Sequence, residues 1–208
     1  MFKNRQEAGQ RLAQALQKYK NAADTIVLAL PRGGVVVGFE IAQALNLPLD
    51  IIVPRKIGAP GNPEYAIGAI TETGEAILNE KEVESVDRAW LKRAMEEEKK
   101  EALRRRTAYR AGPPAELQGK TAIIVDDGIA TGYTMRAAVA SVKARLSAKI
   151  IVAVPHGAAD SIAQLRQLVD EVVCLCTPAM YWAVGAHYEE FPQTSDEEVI
   201  ELIKRVNV

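Results

Sequence analysis

Strand-sized apolar runs alternate with stretches of helical pattern along this chain, and that alternation limits its fold more than any other feature. Residues 25–30 (TIVLAL) stop at Pro31, Arg32, Gly33 and Gly34, and a helical pattern follows over 35–45. Residues 50–53 (DIIV), 121–125, 149–154 and 171–175 read as further strands, with helices over 134–146 and 158–168. Runs that are apolar throughout, rather than at every second residue, suit strands buried on both faces. Strands joined through helices require crossover connections, and these build a parallel sheet. The expected fold is three-layer α/β/α around a largely parallel sheet.

Outside this alternation the pattern changes. Ala8, Leu12, Leu16 and Tyr19 lie at helical spacing within residues 5–19, and Ser195 with Glu198 forms a capping-box pattern for a last helix over 196–206. After the second strand comes a Gly- and Pro-rich segment, 54–63 (PRKIGAPGNP), expected to be a loop. A hairpin is expected from 66–71 and 75–78 around Glu72, Thr73 and Gly74, and a charged helix over 87–110. That helix carries a thin stripe of Leu91, Met95 and Leu103 and ends at Gly112, Pro113 and Pro114. Its Arg104, Arg105 and Arg106 are offset by Glu96, Glu97, Glu98 and Glu101, which points to a solvated face rather than a nucleic-acid surface.

With 208 residues and neither repeat nor linker, residues 1–208 read as one domain. Lys and Arg number 26 against 27 Asp and Glu, so no global field attracts nucleic acid or an anionic membrane, and any anion site must be local. No run approaches the roughly 18 apolar residues of a membrane span. Lys3, Asn4 and Arg5 follow Phe2 without an apolar leader, so the cytoplasm is the expected location. Cys174 and Cys176 lie two apart in a strand and point to one face, ill placed to bridge each other. With His156 and His187 the only histidines, free thiols are favoured over a zinc site.

In a parallel sheet ligands bind where strands end. The most informative such place is 122–134, AIIVDDGIATGYT: an apolar strand, two acids where it emerges, then Thr131, Gly132, Tyr133 and Thr134 turning into a helix. Free N–H groups and hydroxyls at a helix start can hold a phosphate, and Gly132 permits close approach. Acids and a phosphate cradle a few residues apart suit a sugar phosphate. Paired acids also serve as a metal-binding pair of a P-loop protein, as a phosphoacceptor pocket, or as the ribose anchor of a dinucleotide fold. The first would want a Gly-rich loop ending in Lys and Ser or Thr, the third a G-x-G-x-x-G, and neither occurs.

Residues 122–134 resemble, element for element, the 5-phosphoribosyl-1-pyrophosphate (PRPP) signature of type I phosphoribosyltransferases. The resemblance implies that Asp126 and Asp127 bind the ribose hydroxyls and that Ala130, Thr131, Gly132, Tyr133 and Thr134 hold the 5'-phosphate, with Gly128 also in the substrate-binding set. LPRGG at 30–34 looks like the family's pyrophosphate loop, which assigns Arg32, Gly33 and Gly34 to PRPP. VPRK at 53–56 is similar to the Ala-Arg-Lys of adenine phosphoribosyltransferases, the closest subclass in motif. It would place Arg55 and Lys56 at the leaving pyrophosphate, and with Asp127 they form the expected catalytic set. Mg²⁺ is the implied cofactor, near Asp126 and Asp127 directly or through water or PRPP. The segment after residue 53 and the following hairpin match the mobile catalytic loop in position, and the 87–110 helix looks like an insertion.

The implied domain has a core at about 25–176 and a small hood from segments 1–24 and 177–208. Tyr181, Trp182 and Tyr188 in that hood either stack on an acceptor or pack against the N-terminal helix. His156, at the carboxyl edge, is either a satisfied loop histidine or an acceptor contact. The implied function is Mg²⁺-dependent transfer of phosphoribose from PRPP to a nitrogen acceptor such as a nucleobase, with release of pyrophosphate, as in nucleotide salvage. The alternative is a non-catalytic PRPP-sensing module of the same fold. A PRPP synthetase would need a longer chain with two such domains. PRPP and a small-molecule acceptor are the expected partners, with no membrane and no nucleic acid, and a homodimer is left open. Where 6-oxopurine enzymes usually carry an Asp, this chain has Ala130, as adenine enzymes commonly do. Those take their acid from the mobile loop, where Glu64 is the nearest candidate.

Overall fold

The computed structural model describes residues 1–110 and 113–206, apart from the side chain of Glu64. Five parallel strands form the main sheet: β1 (Thr25–Ala29), β2 (Leu49–Ile51), β6 (Thr121–Val125), β7 (Lys149–His156) and β8 (Glu171–Cys176), in the order β2-β1-β6-β7-β8. β1 and β6 pair in register along their whole length, from Thr25 opposite Thr121 to Ala29 opposite Val125. Successive strand residues point to opposite faces, and here both faces are covered. Val27, Ala29, Ile123 and Val125 pack with Leu12 and Leu16 from the N-terminal helix region, Val35 and Phe39 of α2 (Gly33–Leu45), and Val199 and Ile203 of α7 (Asp196–Val206). Leu12 belongs to α1 (Arg5–Ala15). Ile26, Leu28, Ile124 and Val152 pack instead with Met135 and Val139 of α5 (Tyr133–Ala144) and Ile162 and Leu165 of α6 (Ala159–Arg166). Burial on two sides is why β1 runs apolar over Ile26–Ala29 and β6 over Ala122–Val125, and the expected three layers form around them.

The segment at 54–63 is not a loop. Arg55–Ala59 is a strand, β3, that turns at Pro60 and Gly61 into β4 (Asn62–Ile70) and pairs with it antiparallel, Arg55 opposite Ile70 and Lys56 opposite Ala69. β5 (Ala76–Leu78) adds to β4, giving a separate three-stranded sheet. The glycine and proline content there reflects a tight turn and an irregular register around Gly58, not absence of structure. Glu72, expected in the hairpin turn, is buried and its carboxylate accepts the Val53 N–H at 2.9 Å, so this turn is pinned to the end of the second strand segment.

After a short helix, α3 (Glu80–Val83), α4 (Arg88–Tyr109) begins on Asp87, whose side chain accepts the Trp90 N–H at 2.8 Å. Its first half lays Trp90, Leu91 and Met95 over Ile57, Ile67 and Ile70 of the small sheet. Its second half buries Ala102 and Tyr109 against the main core. Leu103, expected in the buried stripe, is 50% exposed, because at about 100° per residue it lies to one side of the single face that Leu91, Met95, Ala102 and Tyr109 share along the helix. The expected stop at Gly112 lies outside the described residues. Among the described residues no helix is long and apolar enough to cross a membrane.

Two leucines, one on α1 and one on α4, give a direct test of the packing. Leu12 has no exposed surface. Leu12→Ala should lower unfolding stability by about 2–5 kcal/mol in urea titration, whereas Leu103→Ala should stay within about 0.5 kcal/mol of the parent. Equal losses at both positions would contradict this arrangement.

Candidate functional site

β6 occupies the centre of the parallel sheet and ends at Val125, so Asp126 and Asp127 emerge in the middle of its carboxyl edge. The Asp127 N–H donates to Asp126 Oδ1 at 2.8 Å, which fixes one acid on the backbone of the other. The turn beyond is tied to β7: Ile129 N–H donates to the His156 carbonyl at 3.1 Å, and Ala158 N–H to the Ile129 carbonyl at 2.8 Å. Ser161 of α6 donates to the Ala130 carbonyl at 2.6 Å. Gly132 then caps α5 with φ of 76°, a left-handed conformation that disfavours a side chain, and Tyr133 and Thr134 open the helix with their N–H groups free of earlier turns.

The expected pyrophosphate loop meets this edge directly. β1 runs beside β6, so the turn after it arrives next to the acids. Gly33 sits so close to Asp127 that a Cβ there would overlap its carboxylate, and a Cβ on Gly34 would lie 2.9 Å from Asp126 Oδ1. Two sequence segments more than ninety positions apart thus share one site. The Pro31–Arg32 peptide bond is cis. The Arg32 guanidinium turns toward α7, 3.3 Å from Asp196 Oδ1, which also accepts the Tyr109 hydroxyl at 2.8 Å.

Arg55 and Lys56 open β3 on the edge of the small sheet. Arg55 Nε lies 2.8 Å from Glu98 Oε2 on α4, and Lys56, half-buried, points to the other face of the strand. Neither guanidinium, Arg32 or Arg55, is paired with Asp126 or Asp127.

The cation that does reach the acids was not among the expected residues. Arg5, the first residue of α1, is 8% exposed, and its Nε donates to Asp127 Oδ2 at 2.8 Å. Burial and the neighbouring Asp127 push the Asp126 carboxyl well above the usual carboxylate range. Burial pushes Asp127 up too, against the pull of the Arg5 guanidinium. One signal in the sequence could have revealed Arg5: it falls on the same helical face as Ala8 and Leu12, and a charge within an apolar stripe needs a partner.

Over the acids lies an aromatic cover from both termini. Phe2 bridges to Tyr188 in parallel fashion, and the Tyr188 hydroxyl donates to the Asp127 carbonyl at 2.6 Å. His156, the last residue of β7, is buried. Its Nδ1 lies 2.9 Å from the Tyr181 hydroxyl, and its ring packs on Gly128 and 4.7 Å from the ring centre of His187. Burial, and then the nearby His187, push His156 down to about 4, so the imidazole is neutral at physiological pH. Burial followed by the two acids raises the Tyr181 phenol above its ordinary range. Trp182, by contrast, is 83% exposed and packs on nothing in this cover. Among the described residues no three acidic, histidine or cysteine side chains converge as a metal cage.

The sequence pattern of the family described as "Phosphoribosyl transferase domain" matches residues 2–190. Two Mycobacterium tuberculosis proteins, from strains H37Rv and CDC 1551, carry the provisional name phosphoribosyl transferase and are 44% identical over 210 positions. The alignment takes in 100% of this chain and 47% of theirs, so the chain spans about half the length of these relatives. The crystal structure of TT1426 from Thermus thermophilus is 38% identical with a TM-score of 0.82, covering 99% of this chain and 98% of that one. A hypothetical protein from Neisseria gonorrhoeae, solved with bound ppGpp, shares the fold at 12% identity and a TM-score of 0.52, covering 99% of this chain and 98% of its own. The family match takes in both converging loops and the whole parallel sheet, and on that ground the chain belongs to the type I phosphoribosyltransferases.

Proposed function

We propose that this chain transfers phosphoribose from PRPP to a nitrogen acceptor such as a nucleobase, with Mg²⁺, releasing pyrophosphate as in nucleotide salvage. The observation that carries this reading is the seating of Gly33 and Gly34 on the Asp127 and Asp126 carboxylates, which themselves precede the N-terminus of α5 by one short turn of chain. A ligand bridging these parts carries phosphate at the helix start, hydroxyls at the acids and a second anionic group at the glycine turn, and PRPP has all three. The reaction passes through an oxocarbenium-like state, as glycosides do. The chain's task is therefore to hold the sugar, screen the developing positive charge with the two carboxylates, and keep water out under the aromatic cover.

Asp126 and Asp127 would offer Mg²⁺ two carboxylates, with no third acid, histidine or cysteine converging on them among the described residues, which suits a hard ion held largely by ligand oxygens and water. When bound, the ion would neutralise pyrophosphate charge. Arg55 and Lys56 are the proposed leaving-group cations. One observation favours the PRPP-sensing alternative: Arg55 is held by Glu98 and Arg32 by Asp196, so neither guanidinium faces the acids.

Three outcomes test these readings. Asp126→Asn with Asp127→Asn removes the anionic acceptors of two hydroxyls, at roughly 1.5–3 kcal/mol each, so PRPP affinity by calorimetry should fall at least ~10-fold, and unchanged affinity would end the assignment. Replacing Arg55 and Lys56 with Ala should reduce turnover far more than ribose 5-phosphate binding, which lacks the pyrophosphate. A parent protein that releases no pyrophosphate with any acceptor would instead favour the sensor. Finally, Ala130 has no titratable group, and general acid–base help is worth about 10²–10⁴ in rate. Hypoxanthine and guanine should therefore be poor acceptors beside adenine or a non-purine, and kcat/KM above about 10⁴ M⁻¹s⁻¹ for either would overturn this. The side chain of Glu64, the candidate acid, lies outside the described residues.

A further inference from the structure

Two adjacent carboxylates at the end of a buried strand repel each other and compete for the same hydroxyls, so a sugar site built on them needs one held in place. Around Asp127 the structure has a closed circuit of contacts. Arg5 Nε grips the Asp127 carboxylate at 2.8 Å, and the Tyr188 hydroxyl grips the Asp127 carbonyl at 2.6 Å. Phe191 stacks on Tyr188 with ring centres 5.0 Å apart and lies 3.7 Å beneath the Arg5 guanidinium. Arg5 is further anchored by the Pro192 carbonyl, which accepts its Nη1–H at 2.7 Å. The guanidinium passes through space left by Gly33, where a Cβ would lie 2.7 Å from Arg5 Nε. Asp126 has no such clamp, its Oδ1 accepting only the neighbouring backbone N–H among the contacts described.

We propose that Arg5 is a positioning residue of the sugar site, fixing the Asp127 carboxylate for a ribose hydroxyl and coupling both chain termini to the signature loop. The proposal rests on the reading above that Asp127 binds PRPP, and it adds a residue that lies outside the signature. In this role Arg5 makes no contact of its own with the sugar. It acts through Asp127, and a guanidinium held by three partners restrains a carboxylate better than a lysine ammonium, a flexible point charge, could.

A double-mutant cycle on ribose 5-phosphate binding, followed by calorimetry, tests this. Arg5→Ala should weaken binding about 10-fold or more, the loss of one charged hydrogen bond, and Arg5→Lys should recover part of it. In an Asp127→Asn background Arg5→Ala should change affinity less than about 2-fold, because its target is gone. The same loss with and without Asp127 would overturn the proposal, since a merely structural role adds independently. Equal or tighter binding by Arg5→Ala would overturn it as well, the latter showing that Arg5 competes with the sugar. If Arg5→Ala does not fold, Arg5→Lys and Arg5→Gln carry the same cycle. A parent protein that binds neither ribose 5-phosphate nor PRPP would remove the reading of the site together with this proposal, whereas a binding parent with an indifferent Arg5 would remove the proposal alone.

Discussion

Two consecutive carboxylates at the end of the central strand set the terms for everything built around them. Taking one charge out of water is costly, and two side by side are costlier still unless a cation and hydrogen bonds compensate. The chain meets that requirement from three directions. The backbone of Asp127 satisfies Asp126, Arg5 reaches in from α1 to Asp127, and the turn after β1 has no side chains at Gly33 and Gly34 that would block either. The parallel pairing of β1 with β6 brings that turn to the acids in the first place.

Two of the basic side chains expected at the site, Arg32 and Arg55, are held by acids from elements outside the parallel sheet. Asp196, at the start of α7, takes both Arg32 and Tyr109, and Glu98 of α4 takes Arg55. α4 therefore does more than cover the small sheet with Trp90, Leu91 and Met95, because it also fixes the direction of a cation at the start of β3. In the aromatic cover, His156 is kept neutral by burial and by His187, so no imidazolium joins the Arg5 guanidinium beside the acids.

The strands and helices of the parallel core were legible because each apolar run had to be buried on two faces, and such runs admit few alternatives. The acid pair and the two glycines were legible because their chemistry is local: each motif sits within a few consecutive residues. The hairpin at 66–78 was legible, but β3 was misread as a loop at 54–63, since glycine and proline signal a turn but do not reveal whether flanking residues find a strand partner, and that partner is β4. Leu103 was misassigned to a buried stripe because its hydrophobicity stood out over that of Ala102, the residue that actually shares the face of Leu91, Met95 and Tyr109.

By itself, then, the sequence determined the layered parallel core and the chemical character of its carboxyl edge, through burial patterns and contiguous motifs. Tertiary structure alone decided which cation reaches Asp127, which acids restrain Arg32 and Arg55, and how the termini close over the edge. Those contacts join residues as far apart as Arg5 with Asp127 and Phe2 with Tyr188. Pairings at that separation depend on where whole helices dock, and docking follows from summed packing of α1 and α7 on α2 rather than from any local run of residues.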